Sequence, residues 1–271
     1  MLRSRIAMID EPQDPLDSER QAAFEPAPPI PRPAPWGPLV TSALALVAFI
    51  VYSGLQGLIL AFYPGLLKED SFGLAFTVTT LAAAPVGALL VLGFASRRRG
   101  LPLTPTPPAP PIADVLGLHL PTVRQALVSL VLLAAFSLSY DQLTRLLHRP
   151  LVPDFMIGAY KTSHGLPGLY LAVVLAAPVF EELLFRGFLL PGLRPALGAV
   201  GAALLSSLAF ALPHLQYDAV DVSAVFVLGL LFAGVRVKTG STLLTILLHA
   251  ITNLVATLQV AWVLAHPGAA G

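Results

Sequence analysis

The sequence predicts an all-α, polytopic transmembrane helical bundle of about seven to eight spans, with a catalytic core formed by the last four. Three observations carry this expectation. Of 271 residues, 56% are hydrophobic and only 11% charged, against roughly 25% charged in ordinary soluble domains. The mean hydropathy is +0.78. The apolar residues fall into runs long enough to cross a hydrocarbon core about 30 Å thick as helices. A net charge of +1 makes no case for nucleic acid, so the expected partners are the lipid bilayer and a membrane protein or peptide substrate. The absence of cysteine rules out disulfides, thiolate catalysis and cysteine-ligated metal.

Residues 1–35 mix Arg3, Arg5 and Arg20 with six acidic residues and end in the Pro-rich stretch Pro26 to Pro35. With no continuous apolar core, they read as a disordered tail rather than a cleavable signal peptide. A bundle over 36–266 follows. Trp36 marks the membrane interface, Pro38 to Phe62 is the first span, and Phe72 to Phe94 is the second. Arg97, Arg98 and Arg99 come next, then the proline-rich connector Leu101 to Pro111, which is extended rather than helical. The third span runs from about Val123 to Tyr140, and Asp141 to Lys161 reads as a loop. Leu169 to Leu190 forms the fourth span, Leu197 to Pro213 the fifth, Val222 to Val237 the sixth and Ser241 to Leu264 the seventh.

Positively charged residues stay on the cytoplasmic side of a membrane. With seven crossings and a cytoplasmic N-terminus, eleven of the 16 Lys and Arg residues fall inside, while Lys68, Arg145, Arg149 and Lys161 fall outside. The expected setting is therefore an integral, multi-pass protein of a bacterial cell membrane. In this topology Glu181 and His249 lie about eight residues from the cytoplasmic ends of their helices, at ~12 Å depth, and can meet. His214 lies about seventeen residues deep, at ~26 Å, and does not match them.

Between Lys161 and Arg194 the only charged residues are Glu181, Glu182 and Arg186, all within an apolar span. Each costs roughly 2.5 to 3.5 kcal/mol on insertion, which marks them as functional candidates. Glu182 and Arg186, four apart, share a helix face and can pair, while Glu181 points about 100° away. Two more clusters lie in other spans: Phe210 with His214, and His249 with Asn253. Together they would line one polar pocket in an apolar bundle. Desolvation and a like-charged neighbour make a carboxylate a better base, so Glu181 can activate a water while Arg186 holds Glu182 ionised. His214 could hold that water or bind metal, and His249 with Asn253 could donate to a tetrahedral oxyanion. Glu181, His214 and His249 also form an oxygen/nitrogen set of the kind zinc accepts, although the H-E-x-x-H pattern is absent.

The run Glu181-Glu182-x-x-x-Arg186, then Phe210-x-x-x-His214, then His249-x-x-x-Asn253 resembles the three-motif signature of the CPBP family. These are CAAX- and bacteriocin-processing intramembrane endopeptidases, called Abi proteins in bacteria. The resemblance covers about 167–260 and implies peptide-bond hydrolysis within or near the membrane. Glu181 would match the catalytic glutamate, His214 the histidine that helps activate water, and His249 with Asn253 the oxyanion pair. Glu182, Arg186 and Phe210 match supporting positions. The family has been read both as metal-dependent and as glutamate-dependent, so zinc stays open, as does a CAAX-type or leader-peptide substrate. Two other readings compete. A non-enzymatic scaffold or bacteriocin self-immunity protein would keep the cluster as an interhelical lock, and a transporter would use Glu and His as a proton path, although no inverted repeat is present.

Overall fold

The computed structural model describes residues 36–96, 111–164 and 166–266. The N-terminal tail, the Arg97–Arg99 cluster and nearly all of the proline-rich connector lie outside the described residues. Among those described, the secondary structure is helical throughout. Six helical runs are long and apolar enough to cross a membrane. The protein is a polytopic membrane bundle.

The first two helices, α1 (Pro38–Phe62) and α2 (Phe72–Ser96), pair closely. Trp36 donates its indole N–H to Phe94 O at 3.3 Å, fixing the start of α1 against the end of α2. A short helix, α3 (Ile112–Leu116), ends at Gly117 in the left-handed region, φ 67°. Next comes α4 (Val123–Leu146), opened by a reciprocal cap in which Thr122 Oγ1 accepts from Gln125 N and Gln125 Oε1 accepts from Thr122 N.

Two parts of the expected loop Asp141 to Lys161 are helical instead. α4 runs six residues past Tyr140, and Asp154–Lys161 forms α5. Asp154 in its first turn and Lys161 in its last complement the helix dipole. It packs so tightly on α2 that a Cβ at Gly73 would collide with Ala159 O.

The expected fourth and fifth spans form one helical run, Leu166–His214. Within it, α6 (Leu166–Tyr170), α7 (Ala177–Glu182) and α8 (Leu190–Ala211) alternate with two π-helical segments, Leu171–Ala176 and Leu183–Leu189. The run is not one straight rod. Gly198 has φ 67° and ψ −179°, a region open essentially to glycine alone. Ser206 Oγ donates to Phe185 O at 2.9 Å, yet residues that far apart on a straight helix would be roughly 31 Å apart. The chain therefore reverses at Gly198 and folds back on itself.

This reversal corrects the expected end of the fourth span and removes the depth mismatch of His214. The expected fourth span ends at Leu190, before Pro191, Arg194 and Pro195, but the helix continues through all three. Counted from Gly198, Glu181 lies 17 residues back and His214 16 residues forward. The two reach the same level.

The last two helices are α9 (Ala219–Thr239), capped by Asp218, and α10 (Thr242–Ala265), capped by Ser241. One apolar core joins α1, α2, the second π segment and α8 around Phe180, Leu184, Phe188 and Phe210. A second joins α4, α9 and α10 around Leu133, Phe232, Leu244 and Leu248. In α1 and α4 only 11% of the apolar window is buried, against 39% in α9, so the first two are peripheral and α9 is central. Leu46, Ile50 and Leu58 of α1 and Leu127 and Val131 of α4 point outward. An apolar surface of that extent is stable facing lipid rather than water.

Candidate active site

Glu181 and Glu182 end α7, between the two π segments. Each π segment has a carbonyl that accepts a side-chain donor from another helix: Val173 O from Asn253 Nδ2 at 2.7 Å, and Phe185 O from Ser206 Oγ. Widened π turns displace the backbone from the ordinary ladder, recur at functional sites, and need such outside partners in an apolar interior. The short α7 is thus pinned at both ends.

The two carboxylates have separate surroundings. Glu182 is fully buried, whereas the Glu181 side chain is 18% exposed. Glu182 Oε1 accepts from Arg186 Nη1 at 3.0 Å, and His249 Nδ1 stands 3.0 Å from the same oxygen. Arg186 is itself fully buried, donates through Nη2 to Gly229 O at 3.1 Å, and lies over the Phe210 ring at 4.2 Å. Gly229 serves this contact. A Cβ there would sit 3.2 Å from Arg186 Nη2 and 3.3 Å from Phe210, tight enough to press on both.

His249 is held between Phe210 and Phe232, with ring centroids at 5.6 and 5.5 Å. Its Nδ1 faces the Glu182 carboxylate, which can only accept, so Nδ1 carries a proton. Its Nε2 lies 3.8 Å from Glu181 Oε2. His214 Nδ1 lies 3.0 Å from Phe210 O, another pure acceptor, so its proton is also on Nδ1 and its Nε2 lone pair is open.

All four expected catalytic side chains, Glu181, His214, His249 and Asn253, line one cavity of about 750 Å³, whose other walls include Leu130, Phe136, Val152, Met156 and Leu169. Of the supporting residues, Phe210 lines the same cavity, while Glu182 and Arg186 lie behind it. Asn253 has one amide N–H committed to Val173 O, so a single N–H remains for a ligand. Among the described residues, no three His, Asp or Glu side chains form a group that could hold a metal. Glu181, His214 and His249 are not gathered into such a group, although Glu182 and Phe210 O take only Nδ1 of each ring and leave both Nε2 atoms open.

Residues 163–255 match the family model described as type II CAAX prenyl endopeptidase Rce1-like. This segment is similar to the Rce1-like family. The match spans all three motifs and agrees with the CPBP resemblance that they carry. The Rce1-like family points to an intramembrane protease. The helices α1, α2 and α4 lie outside the Rce1-like segment. Neither the curated proteins nor the solved structures contain a match to the chain.

Some of the geometry was not anticipated. Gly229 and Phe232 of α9 hold Arg186 and His249, and nothing about a glycine and a phenylalanine in an apolar span singles them out. Tyr52, Ser53 and Gln56 of α1 border a second cavity that also contains Glu181. Gln56 is the only side-chain amide in the first span, which was the available signal.

Proposed function

We propose that the chain is an intramembrane endopeptidase that hydrolyses peptide bonds of membrane-associated substrates, CAAX-type or leader-peptide substrates among them, with Glu181 as the base. The observation carrying this reading is the division of the two carboxylates. Glu182 is committed to Arg186 and His249, while Glu181 faces a cavity that it shares with His214, His249 and Asn253.

In the reaction, Glu181 takes a proton from a water whose other hydrogen is held by the open Nε2 of His214. The water oxygen attacks the scissile carbonyl carbon, and the carbonyl oxygen becomes the oxyanion. The free N–H of Asn253 donates to it. His249 donates to it from Nε2 when the ring enters the cycle as the imidazolium, its second proton taken from solvent before the peptide binds, with Glu182 as counter-ion. Glu181 then returns its proton to the leaving nitrogen. The C–N bond breaks, and the second hydrogen of the water passes to His214 Nε2 and from there to solvent, leaving one carboxylate and one amine.

A cytoplasmic N-terminus, from the distribution of Lys and Arg, places the Gly198 turn on the cytoplasmic side. The scaffold reading has one observation in its favour: the Glu182–Arg186–His249 network ties helices together without any chemistry. Glu181 separates the two readings. Peptide termini should be compared, by terminal proteomics, in cells carrying the wild-type chain or Glu181→Gln at matched expression. Loss of membrane-proximal new termini in the variant supports the protease. Coincident profiles with an inserted, folded variant support the lock.

A further inference from the structure

Two cavities meet at Glu181. The larger takes its walls from α4, α5, α9 and α10 as well as the motif residues. The smaller, about 230 Å³, draws four residues from α1, which contributes none to the larger, and none from α4, α5, α9 or α10. The cavities share only Glu181, Phe210 and His214. The base and the histidine with an open Nε2 thus stand at a partition between two chambers.

The chambers differ in chemistry. The larger is mainly aliphatic and aromatic, as an apolar peptide segment or its attached chain requires. The smaller carries Ser53, Gln56 and Gln216 together with Tyr52, within walls completed by Phe180 and Phe185. Ser53 and Gln216 are exposed, while Gln56 is only partly so, which gives a polar path from rim to interior. A water takes roughly 30 Å³ in liquid terms, so a chamber of about 230 Å³ has room for several, beside the polar groups of Ser53, Gln56 and Gln216.

A peptide filling the larger chamber would cover Glu181 from that side, and water would then have to arrive by another way. We propose that the smaller cavity is the water inlet of the site, and that Gln56 and Ser53 of α1 act as positioning residues for the water that Glu181 activates. This rests on the endopeptidase reading. It brings α1, which lies outside the Rce1-like segment, into the reaction, and leaves the larger chamber to the substrate.

The test uses purified full-length chain in lipid nanodiscs and a quenched-fluorescent peptide spanning a cut site that the wild-type chain makes in cells. Gln56→Leu keeps the size and removes both hydrogen-bonding groups. kcat should fall by about 10-fold or more, in the range expected when a reactant is misplaced by less than an ångström, while KM stays within about 2-fold because substrate binds elsewhere. Gln56→Asn should recover part of the loss. Ser53→Leu, at the exposed rim where folding is least at risk, should also lower kcat alone. Phe136→Ala in the larger chamber should instead raise KM. If both α1 variants leave kcat unchanged, or raise KM at constant kcat, the inlet assignment is overturned while the protease stands. If the wild-type chain cleaves nothing, the protease reading itself fails and the inlet falls with it.

Discussion

Glu182 and His249, on different helices 67 positions apart, are joined through a single oxygen: His249 Nδ1 stands 3.0 Å from Glu182 Oε1, which already accepts from Arg186. That atom ties the first motif to the third. The other oxygen, Glu182 Oε2, has no hydrogen-bond donor, and Arg186 Nε–H has no acceptor. The network is therefore satisfied on one side only, and removing any member exposes more unmet polarity in an apolar interior.

Glu182→Ala should accordingly be destabilising. It strands a fully buried guanidinium, and breaking a buried pair by deleting one partner costs about 3–5 kcal/mol. Thermal unfolding of the purified protein should show a clear drop in midpoint. A midpoint equal to wild type would mean that Arg186 finds another anion or leaves the core.

Glu181→Gln should behave in the opposite way. Its side chain faces a cavity and lies 3.8 Å from His249 Nε2, so little packing is lost. Cleavage should fall by about 10²- to 10⁴-fold, the usual yield of a positioned base, at an unchanged unfolding midpoint. Retained activity would transfer the role of base to another group.

Outside the spans, Asp218 supplies a pH dependence. It caps α9 by accepting from Val220 N at 2.9 Å and Asp221 N at 3.2 Å, and it pairs with Arg149. Desolvation works against its charge, but the Asp221 N–H, Arg149 and the Val220 N–H outweigh that and hold its carboxyl below the usual carboxylate range. A lowered folded-state value means that the stabilisation is full above the ordinary aspartate value of about 3.9 and is lost as pH falls through the lower one. The wild-type unfolding midpoint should drop over that acid window. Asp218→Asn, which keeps the cap and removes the charge, should flatten this part of the profile; an unchanged slope would remove Asp218 from the account.

The apolar spans and the three polar clusters were legible because lipid solvent imposes a strict code: an ionisable residue in a 20-residue apolar run needs a reason. Glu182 with Arg186 follows from helical periodicity alone. The end of the fourth span was not legible. The expected span ends at Leu190, before Pro191 and Pro195, yet the helix runs on through both. The true break, Gly198, sits in a stretch where Gly192 and Gly201 look no different. The π segments leave no periodic trace, since the first is apolar throughout and the second is apolar but for Arg186 and Gly187. Nor could the sequence show that Asn253 spends one amide N–H on Val173 O, because that partner is a backbone atom 80 positions away.

Gly198 offers the sharpest separation of backbone from packing. A Cβ added there meets nothing within 4 Å, so a substitution costs no space. Its φ of 67° with ψ near 180° is nevertheless closed to alanine, at about 1–3 kcal/mol for such a conformation. Gly54, in the middle of α1, also has open space around its would-be Cβ but is ordinary helix. Gly54→Ala should stabilise by up to about 1 kcal/mol through helix propensity, whereas Gly198→Ala should destabilise. The second variant should also lose cleavage beyond its loss of folded protein, because the turn at Gly198 brings Glu181 and His214 to one level, and relaxing it slides one rod along the other. Equal, stabilising effects of the two substitutions would mean that the reversal does not depend on the glycine backbone, and that the alignment of the two residues is held by side-chain contacts such as Ser206 to Phe185 instead.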